Sequence, residues 1–192
     1  VKEKLTSLFD SSSVNLEQNP SSHTTLGIII GGDGAFLEFS KAFIERDIPI
    51  LGINTGHVGF FSGIHGDEIM KLSSFEEFEK LFEDAIITTN YTIRCTMLTD
   101  AGEKIVCDNV LNDIVMRSRD VHPLHLCIKY DGKPMTRELI CDGLCISTPT
   151  GSTAYNLSLG GSAFAFDIDS NVIQIKPISP SHINTNQYLS NG

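Results

Sequence analysis

The sequence predicts an α/β domain over residues 1–89 followed by a β-rich, sandwich-like domain over 90–192. Two observations predict this, and a third permits it. Up to about residue 90, short apolar runs alternate with stretches of helical spacing, the pattern of right-handed βαβ crossovers and a doubly wound parallel sheet. Beyond residue 90 the apolar residues alternate one in two between tight turns, the pattern of antiparallel strands. With 192 residues, 41% of them hydrophobic, the chain is long enough to bury a core in each part.

In order, "TLGIII" (25–30) reads as a strand, 36–46 as a helix, "IPILGIN" (48–54) as a second strand and 67–85 as a helical stretch. In that last stretch Phe75, Phe78, Leu81, Phe82 and Ala85 share one face, while Glu76, Glu77, Glu79, Lys80 and Glu83 form the solvated one. "NYTIRCTML" (90–98) and "IVCDNVLNDIVMRS" (105–118) read as strands joined by a hairpin at "TDAGEK", the second with a break. "HLCIKYDGKPM" reads as a hairpin turning at Asp131-Gly132, and "ELICDGLCIST" as a further apolar strand segment. The Ser-rich 11–22 segment is predicted to be a loop.

Composition excludes several classes. With 24 acidic against 14 basic side chains the formal charge is −10, which disfavours nucleic acid and anionic membranes as partners. No apolar run approaches the roughly 20 residues that span a bilayer, and the first twenty residues lack a signal-peptide core. Five cysteines without a Cys-x-x-Cys pair read as small buried hydrophobes in a reducing, cytoplasmic setting.

Three polar stretches stand out. "GGDG" follows the first strand and opens a helix, so amides of Gly31, Gly32 and Gly34 are placed to approach phosphate oxygens at a sheet's carboxyl edge. Asp33 would repel a phosphate unless a metal or a proton-bearing nucleophile lay between them, which suits a general base or a partner for Mg²⁺; the plain alternative is a turn former. "NTGHVGFF" (54–61) forms a second glycine loop after a strand, with Phe60 and Phe61 read either as an aromatic wall for a base or as core. "STPTGSTAYNLSLGGS" (147–162) gathers hydroxyls between apolar flanks, and Thr150-Gly151-Ser152-Thr153 are predicted to cap a short helix and turn free amides and hydroxyls toward a ligand.

Together, and in this order, these stretches resemble the NAD kinase family over roughly residues 25–180. "GGDG" alone is shared with phosphofructokinases and diacylglycerol kinases; "TPTGSTAY" is not. "LNDIVMR" (111–117) resembles that family's Asn-Glu segment, and "CDGLCIST" its Asp-Gly strand. The resemblance implies transfer of the γ-phosphate of ATP, or of polyphosphate, to the 2′-hydroxyl of the adenosine ribose of NAD, with Mg²⁺ as cofactor and NADP as product. It implies Asp33 as general base and Gly34 at the dinucleotide. Asn112 and Asp113 would hold the nicotinamide half, with Phe60 against a base. Thr150, Thr153, Ala154, Tyr155 and Ser158 would line the pocket. Asp142 would reach a neighbouring subunit of a homodimer or homotetramer.

The sequence departs from the family at Ala35, where a polar residue is usual, and at Asp113, one methylene shorter than the usual Glu. It begins about one βα unit late and stops soon after "IQIKPISPSH", so further structure is expected at both ends. No metal ligand set is assigned: His122 and His125 sit at a strand start without further ligands, and Asp167 and Asp169 read as a polar turn. Cys141 and Cys145 are too widely spaced along a strand for a disulfide. Two alternatives stay open, a diacylglycerol-type lipid kinase and a dinucleotide-binding sensor without catalysis.

Overall fold

The computed structural model describes residues 1–10, 12, 14–56, 59–165, 172–181 and 188–191; Asp167 and Asp169 lie outside them. The chain divides into two compact units, Val1–Ile87 and Thr88–Gly192.

The first unit opens with a helix that the sequence reading missed, α1 (Lys2–Phe9). Its polar composition hides three buried residues at helical spacing, Leu5, Leu8 and Phe9. Then come β1 (Gly27–Gly31), α2 (Asp33–Phe39), α3 (Lys41–Ile44), β2 (Ile50–Asn54), β3 (Ile64–His65), α4 (Gly66–Lys71) and α5 (Phe75–Lys80). The three strands form a parallel sheet in the order β1-β2-β3, with Gly31 level with Asn54 and Asn54 level with His65. The carboxyl ends of β1 and β2, which carry the two glycine loops, therefore lie side by side.

Two helices differ from expectation. The predicted 36–46 helix starts three residues earlier, at Asp33, and divides at Ser40 into α2 and α3. The predicted 67–85 helix is two helices, because Ser74 adopts an extended conformation and its side chain caps α5 by accepting from the Glu77 amide at 3.3 Å. The core joins Ile53 of β2 to Leu5, Phe9, Ile69 and Phe78. Phe9 meets Phe75 and Phe78 edge-on, with ring centroids 5.1 and 5.2 Å apart.

The second unit is antiparallel throughout. It contains β4 (Ile93–Leu98), β5 (Lys104–Val110), β6 (Asp113–Arg117), β7 (Leu124–Leu126), β8 (Lys129–Tyr130), β9 (Lys133–Pro134), β10 (Leu139–Cys141) and β11 (Gly143–Ser147). A 3-10 turn (Thr150–Thr153), α6 (Tyr155–Ser158), β12 (Val172–Ile178) and β13 (Tyr188–Asn191) complete it. A four-stranded sheet runs β13-β12-β11-β6, and two-stranded sheets pair β4 with β5, β7 with β10 and β8 with β9. The hairpin at Asp131-Gly132 forms as read, with φ of 50° and 75° at the two turn residues. The strand expected over 90–98 begins only at Ile93, and the break in the next one falls at Leu111-Asn112.

Register sorts the four-stranded sheet into two faces. Ile114, Ile146 and Ile175 are level across β6, β11 and β12, as are Asp113, Ser147 and Gln174 one residue away. The isoleucine face borders a cavity of about 530 Å³ whose far wall is β4, a sandwich-like arrangement. The other face carries the polar row on which the hydroxyl-rich segment sits, since Gln174 brackets Ser162 by accepting from its amide at 2.7 Å and donating to its carbonyl at 2.9 Å.

The cysteines correct the reading of uniformly buried thiols. Cys141 and Cys145 are fully buried, but Cys95 is half-buried and Cys107 and Cys127 are exposed. β4 and β5 present one face to solvent, so a period-two pattern that is half apolar by letter is not half buried in fact.

Candidate functional site

The site residues fall into two groups, one in each unit. In the first, β1 ends at Gly31 and Asp33 is the first residue of α2. Its carboxylate does not close its own turn. Oδ2 accepts from the Phe60 amide at 3.0 Å and Oδ1 from the Phe61 amide at 3.2 Å. The second glycine loop thus orients the acid of the first. Gly59 makes the approach feasible, because a Cβ there would lie 3.2 Å from Asp33 Oδ1 and 3.1 Å from both Asn54 Nδ2 and Ser62 Oγ. Asn54 folds the loop by accepting from the Gly56 amide at 2.7 Å.

The two phenylalanines have separate roles. Phe61 stacks on Phe36 of α2, with centroids 4.9 Å apart and planes within 6°, so it belongs to the packing. Phe60 is 57% exposed. A Cβ at Gly32 or Gly34 would meet no described atom within 4 Å, and Gly32 has ordinary extended dihedrals, φ −95° and ψ −173°. Neither packing nor backbone geometry demands glycine at these two positions. Lys41 and Arg46 are exposed on and beyond α3.

His65, which the sequence reading passed over, ties this loop to α4. Its Nδ1 accepts from the Asp67 amide at 3.3 Å, its Nε2 lies 3.2 Å from the Gly56 carbonyl, and Glu68 caps the His65 amide at 3.0 Å. A side chain able to accept a hydrogen bond followed by an acid three residues later is the signal that finds it.

In the second unit the anchor is Thr148, fully buried. Its hydroxyl donates to the carbonyls of Leu111 at 2.6 Å and Asn112 at 3.1 Å, and accepts from the Gly151 amide at 2.9 Å. Its own amide donates to the Asn112 carbonyl at 3.0 Å. The link between β6 and the 3-10 turn is so close that a Cβ on Gly151 would sit 2.0 Å from the Asn112 carbonyl oxygen. Asn112 and Asp113 are thereby placed against Gly151 and Tyr155.

The predicted helix cap is not what the hydroxyls do. The residues at the N-caps, Pro149 of the 3-10 turn and Ala154 of α6, make no side-chain cap, and the free first-turn amide of Gly151 is taken by Thr148 instead. Thr150 Oγ1 donates to Asn90 Oδ1 at 2.9 Å, and buried Ser152 accepts from the Phe164 amide at 2.9 Å. Buried Asn156 donates to the Ser152 and Ser162 carbonyls at 3.0 and 3.2 Å. The flanks of this segment are thus inward-facing, with their hydroxyls and the Asn156 Nδ2 bonded within the chain, while the buried Asn156 Oδ1 has no hydrogen-bond partner among the described residues.

What those contacts do not account for is a smaller set. Asn112 Oδ1 is shielded from water and has no hydrogen-bond partner among the described residues. Asp113 is half-buried; burial raises its carboxyl above the ordinary 3.8, opposed in part by the Tyr155 backbone N–H that donates to it. Arg117 stands over the Tyr155 ring at 5.5 Å and donates to its hydroxyl. Asp113 and Arg117 are four apart on one strand and so share a face, a spacing that brings both to Tyr155. Thr153 and Ala154 are half-buried and Ser158 is exposed. Asp142 is exposed between β10 and β11. His125 pairs with Glu138 at 2.8 Å.

Residues 8–86 match the family model described as the ATP-NAD kinase N-terminal domain, and residues 108–188 that of the ATP-NAD kinase C-terminal domain. The chain is similar to the NAD kinase of Finegoldia magna, 34% identical over 171 residues that make up 86% of this chain and 57% of that protein. It is similar also to the NAD kinase of Natranaerobius thermophilus, 33% identical over 80% of this chain and 51% of the relative. The Clostridium botulinum NAD kinase is 30% identical over 98% and 64%. Among solved structures, yeast NADH kinase complexed with NADH superimposes with a TM-score of 0.68 at 29% identity, over 88% of this chain and 48% of that one. An Archaeoglobus fulgidus NAD kinase in complex with ATP gives a TM-score of 0.64 over 99% and 71%, and at 24% identity that likeness shows the fold alone. The chain spans about half the length of the first of these curated relatives.

Proposed function

Because the chain belongs to the NAD kinase family, we propose that it carries the catalytic turn and dinucleotide pocket of a kinase. That kinase transfers the γ-phosphoryl group of ATP, or of polyphosphate, to the 2′-hydroxyl of the adenosine ribose of NAD, giving NADP. The observation that carries this reading is the carriage of Asp33. A carboxylate fixed by two backbone amides, and not consumed by its own turn, is pre-oriented to take a proton.

Residues 1–89 would hold the phosphate loop, residues 90–192 the dinucleotide pocket and the subunit contacts. A ribose hydroxyl is a poor nucleophile, so Asp33 accepts its proton as the oxygen attacks phosphorus. Glycine at 32 and 34 would leave free the space that a phosphate or ribose needs beside the N-terminal end of α2. Asn112 Oδ1 is an acceptor waiting for a donor, and the nicotinamide carboxamide supplies N–H groups. Phe60 offers an exposed ring to a base, and Gly34, Thr150, Thr153, Ala154, Tyr155 and Ser158 line the remainder.

A divalent cation such as Mg²⁺, when bound with the substrates, would supply charge neutralisation at the phosphates. Among the described residues no group of three or more metal-ligating side chains converges, and no residue is assigned as a ligand of that ion. Asp142, exposed at a strand junction, would reach a second subunit of a homodimer or homotetramer. We place the enzyme in the cytoplasm on its five free cysteines, which suit a reducing compartment; no helix among the described residues is long and apolar enough to cross a membrane. The lipid-kinase alternative finds no support, since the hydroxyl-rich segment falls within the matched C-terminal domain.

The test is NADP formation from NAD, ATP and Mg²⁺ by the longest natural form of the protein beside its Asp33→Asn variant. The expected result is NADP from the parent only, with NAD binding retained by both. Turnover surviving in the variant would remove Asp33 as base, and NAD binding without turnover in the parent would leave a sensor.

A further inference from the structure

β4 and β5 pair with Cys95 directly opposite Cys107, and both thiols are free. Residues directly opposed in an antiparallel ladder have Cα atoms about 4.5–5.5 Å apart, inside the roughly 4.4–6.8 Å that a disulfide accepts. Between Cys95 and Ile93 the register slips: Ile93, two residues before Cys95, pairs with Val110, three after Cys107, so β5 carries one residue more than β4. The extra residue is accommodated at Asn109, whose φ is 55°, and Arg94 is ion-paired with Asp108 beside it. Such a bulge pins register and adds twist, so the two cysteines are held opposite each other rather than free to slide.

The remaining thiols are different. Burial pushes Cys145 up to about 11 and Cys141 above the ordinary 9.0, which keeps both as inert thiols. Cys127 donates to the Thr136 carbonyl at 3.4 Å. Cys107 is exposed to a reagent, and Cys95 beside it, half-buried, borders the cavity shared with Thr148 and Pro149.

We propose that Cys95 and Cys107 are a reversible dithiol site, closed to a cross-strand disulfide by a small-molecule disulfide of the glutathione class and reopened by the corresponding thiol. The Cys107 thiolate attacks one sulfur of the reagent, forming a mixed disulfide and releasing one thiolate. The Cys95 thiolate then attacks the Cys107 sulfur, forming the internal bond and releasing the second. Two electrons pass to the reagent, and the two protein protons end on the two released thiols. The bond clips a two-stranded sheet that, among the described residues, pairs with no other strand and so depends on its own ladder. This inference is independent of the phosphoryl-transfer reading.

The experiment equilibrates the intact chain in mixtures of reduced and oxidised glutathione, traps free thiols by alkylation and digests with trypsin. Cleavage after Arg94, Lys104 and Arg117 puts Cys95 in fragment 95–104 and Cys107 in 105–117, each as its fragment's one cysteine. The expected product is a single disulfide joining these fragments, reversed by dithiothreitol and absent from Cys95→Ser and Cys107→Ser variants. Amide exchange in β4 and β5 is expected to slow by roughly tenfold in the oxidised form and not in oxidised Cys107→Ser. Both cysteines alkylated throughout, stable glutathione adducts without the linked fragments, or links spread over all five cysteines would each overturn the site. An unchanged exchange rate in the linked protein would overturn the clip.

Discussion

The Asp33 turn and the hydroxyl-rich segment after Ser147 both read as polar loops leaving a strand, yet they use their polar groups in opposite senses. At Asp33 the backbone holds a side chain: two amides grip a carboxylate. Around Thr148 side chains hold the backbone: one hydroxyl joins two carbonyls and an amide, and Ser152 and Asn156 tie down Phe164 and Ser162. The difference separates residues that the fold orients and leaves available from residues that the fold consumes. A chemistry-bearing motif contains both kinds, and composition alone does not sort them.

The sharpest break of the comparison is Asp33→Asn. Asparagine still accepts one amide hydrogen bond but cannot take a proton, so kcat is expected to fall by roughly 10²–10⁴ with a near-parental melting temperature. Gly151→Ala should do the reverse. Its Cβ would lie 2.0 Å from the Asn112 carbonyl oxygen, a backbone atom that cannot step aside without moving β6. A loss of about 3 kcal/mol is expected in denaturant titration. A melting point within a degree of the parent would show the link between β6 and the 3-10 turn to be looser than described.

Thr148→Val is milder and more specific, since shape is kept and only the hydroxyl is lost. The Gly151 amide and the Leu111 carbonyl are left without that partner in a buried place, at a cost of about 2 kcal/mol. Because Asn112 moves with its carbonyl, the KM for NAD is expected to rise while kcat holds. A change in kcat with KM unaltered would place Thr148 nearer the chemistry than the dinucleotide.

Much of this arrangement was legible in the letters, for definable reasons. β1 and β2 end in glycine loops because an apolar run must turn at the sheet edge, and that placed Asp33, Phe60 and Asn54 at one edge before any coordinates. Long-range partners were not legible. Nothing local announces that Asp33 is held by the amides of Phe60 and Phe61, 27 and 28 residues away, or that Thr150 reaches Asn90 across 60 residues. α1 escaped because exposed Lys2 and Glu3 and half-buried Lys4 mask three buried residues, and Ser74 divided a helix whose hydrophobic spacing ran through it. Periodicity reports which face is apolar; it is blind to a cap that interrupts the backbone without breaking the face.

The smallest effect tests where Asp113 belongs in this division. Burial raises its carboxyl above 3.8, and the Tyr155 amide pulls the other way. A carboxyl raised on folding favours the folded state in its protonated form. That stability is complete below about the unfolded value and is lost as pH rises through the raised one. At pH 7 the ionised, half-buried group is therefore a burden that an amide would not impose, while an amide oxygen still accepts from the Tyr155 N–H. Asp113→Asn is expected to raise the melting temperature slightly at pH 7, and the gain should vanish below the ordinary 3.8, read by melting curves across pH. A burden retained at neutral pH marks Asp113 as oriented and available, in the class of Asp33. If instead the variant melts lower at pH 7, the Tyr155 bond outweighs burial and Asp113 joins Thr148 among the residues that hold the fold.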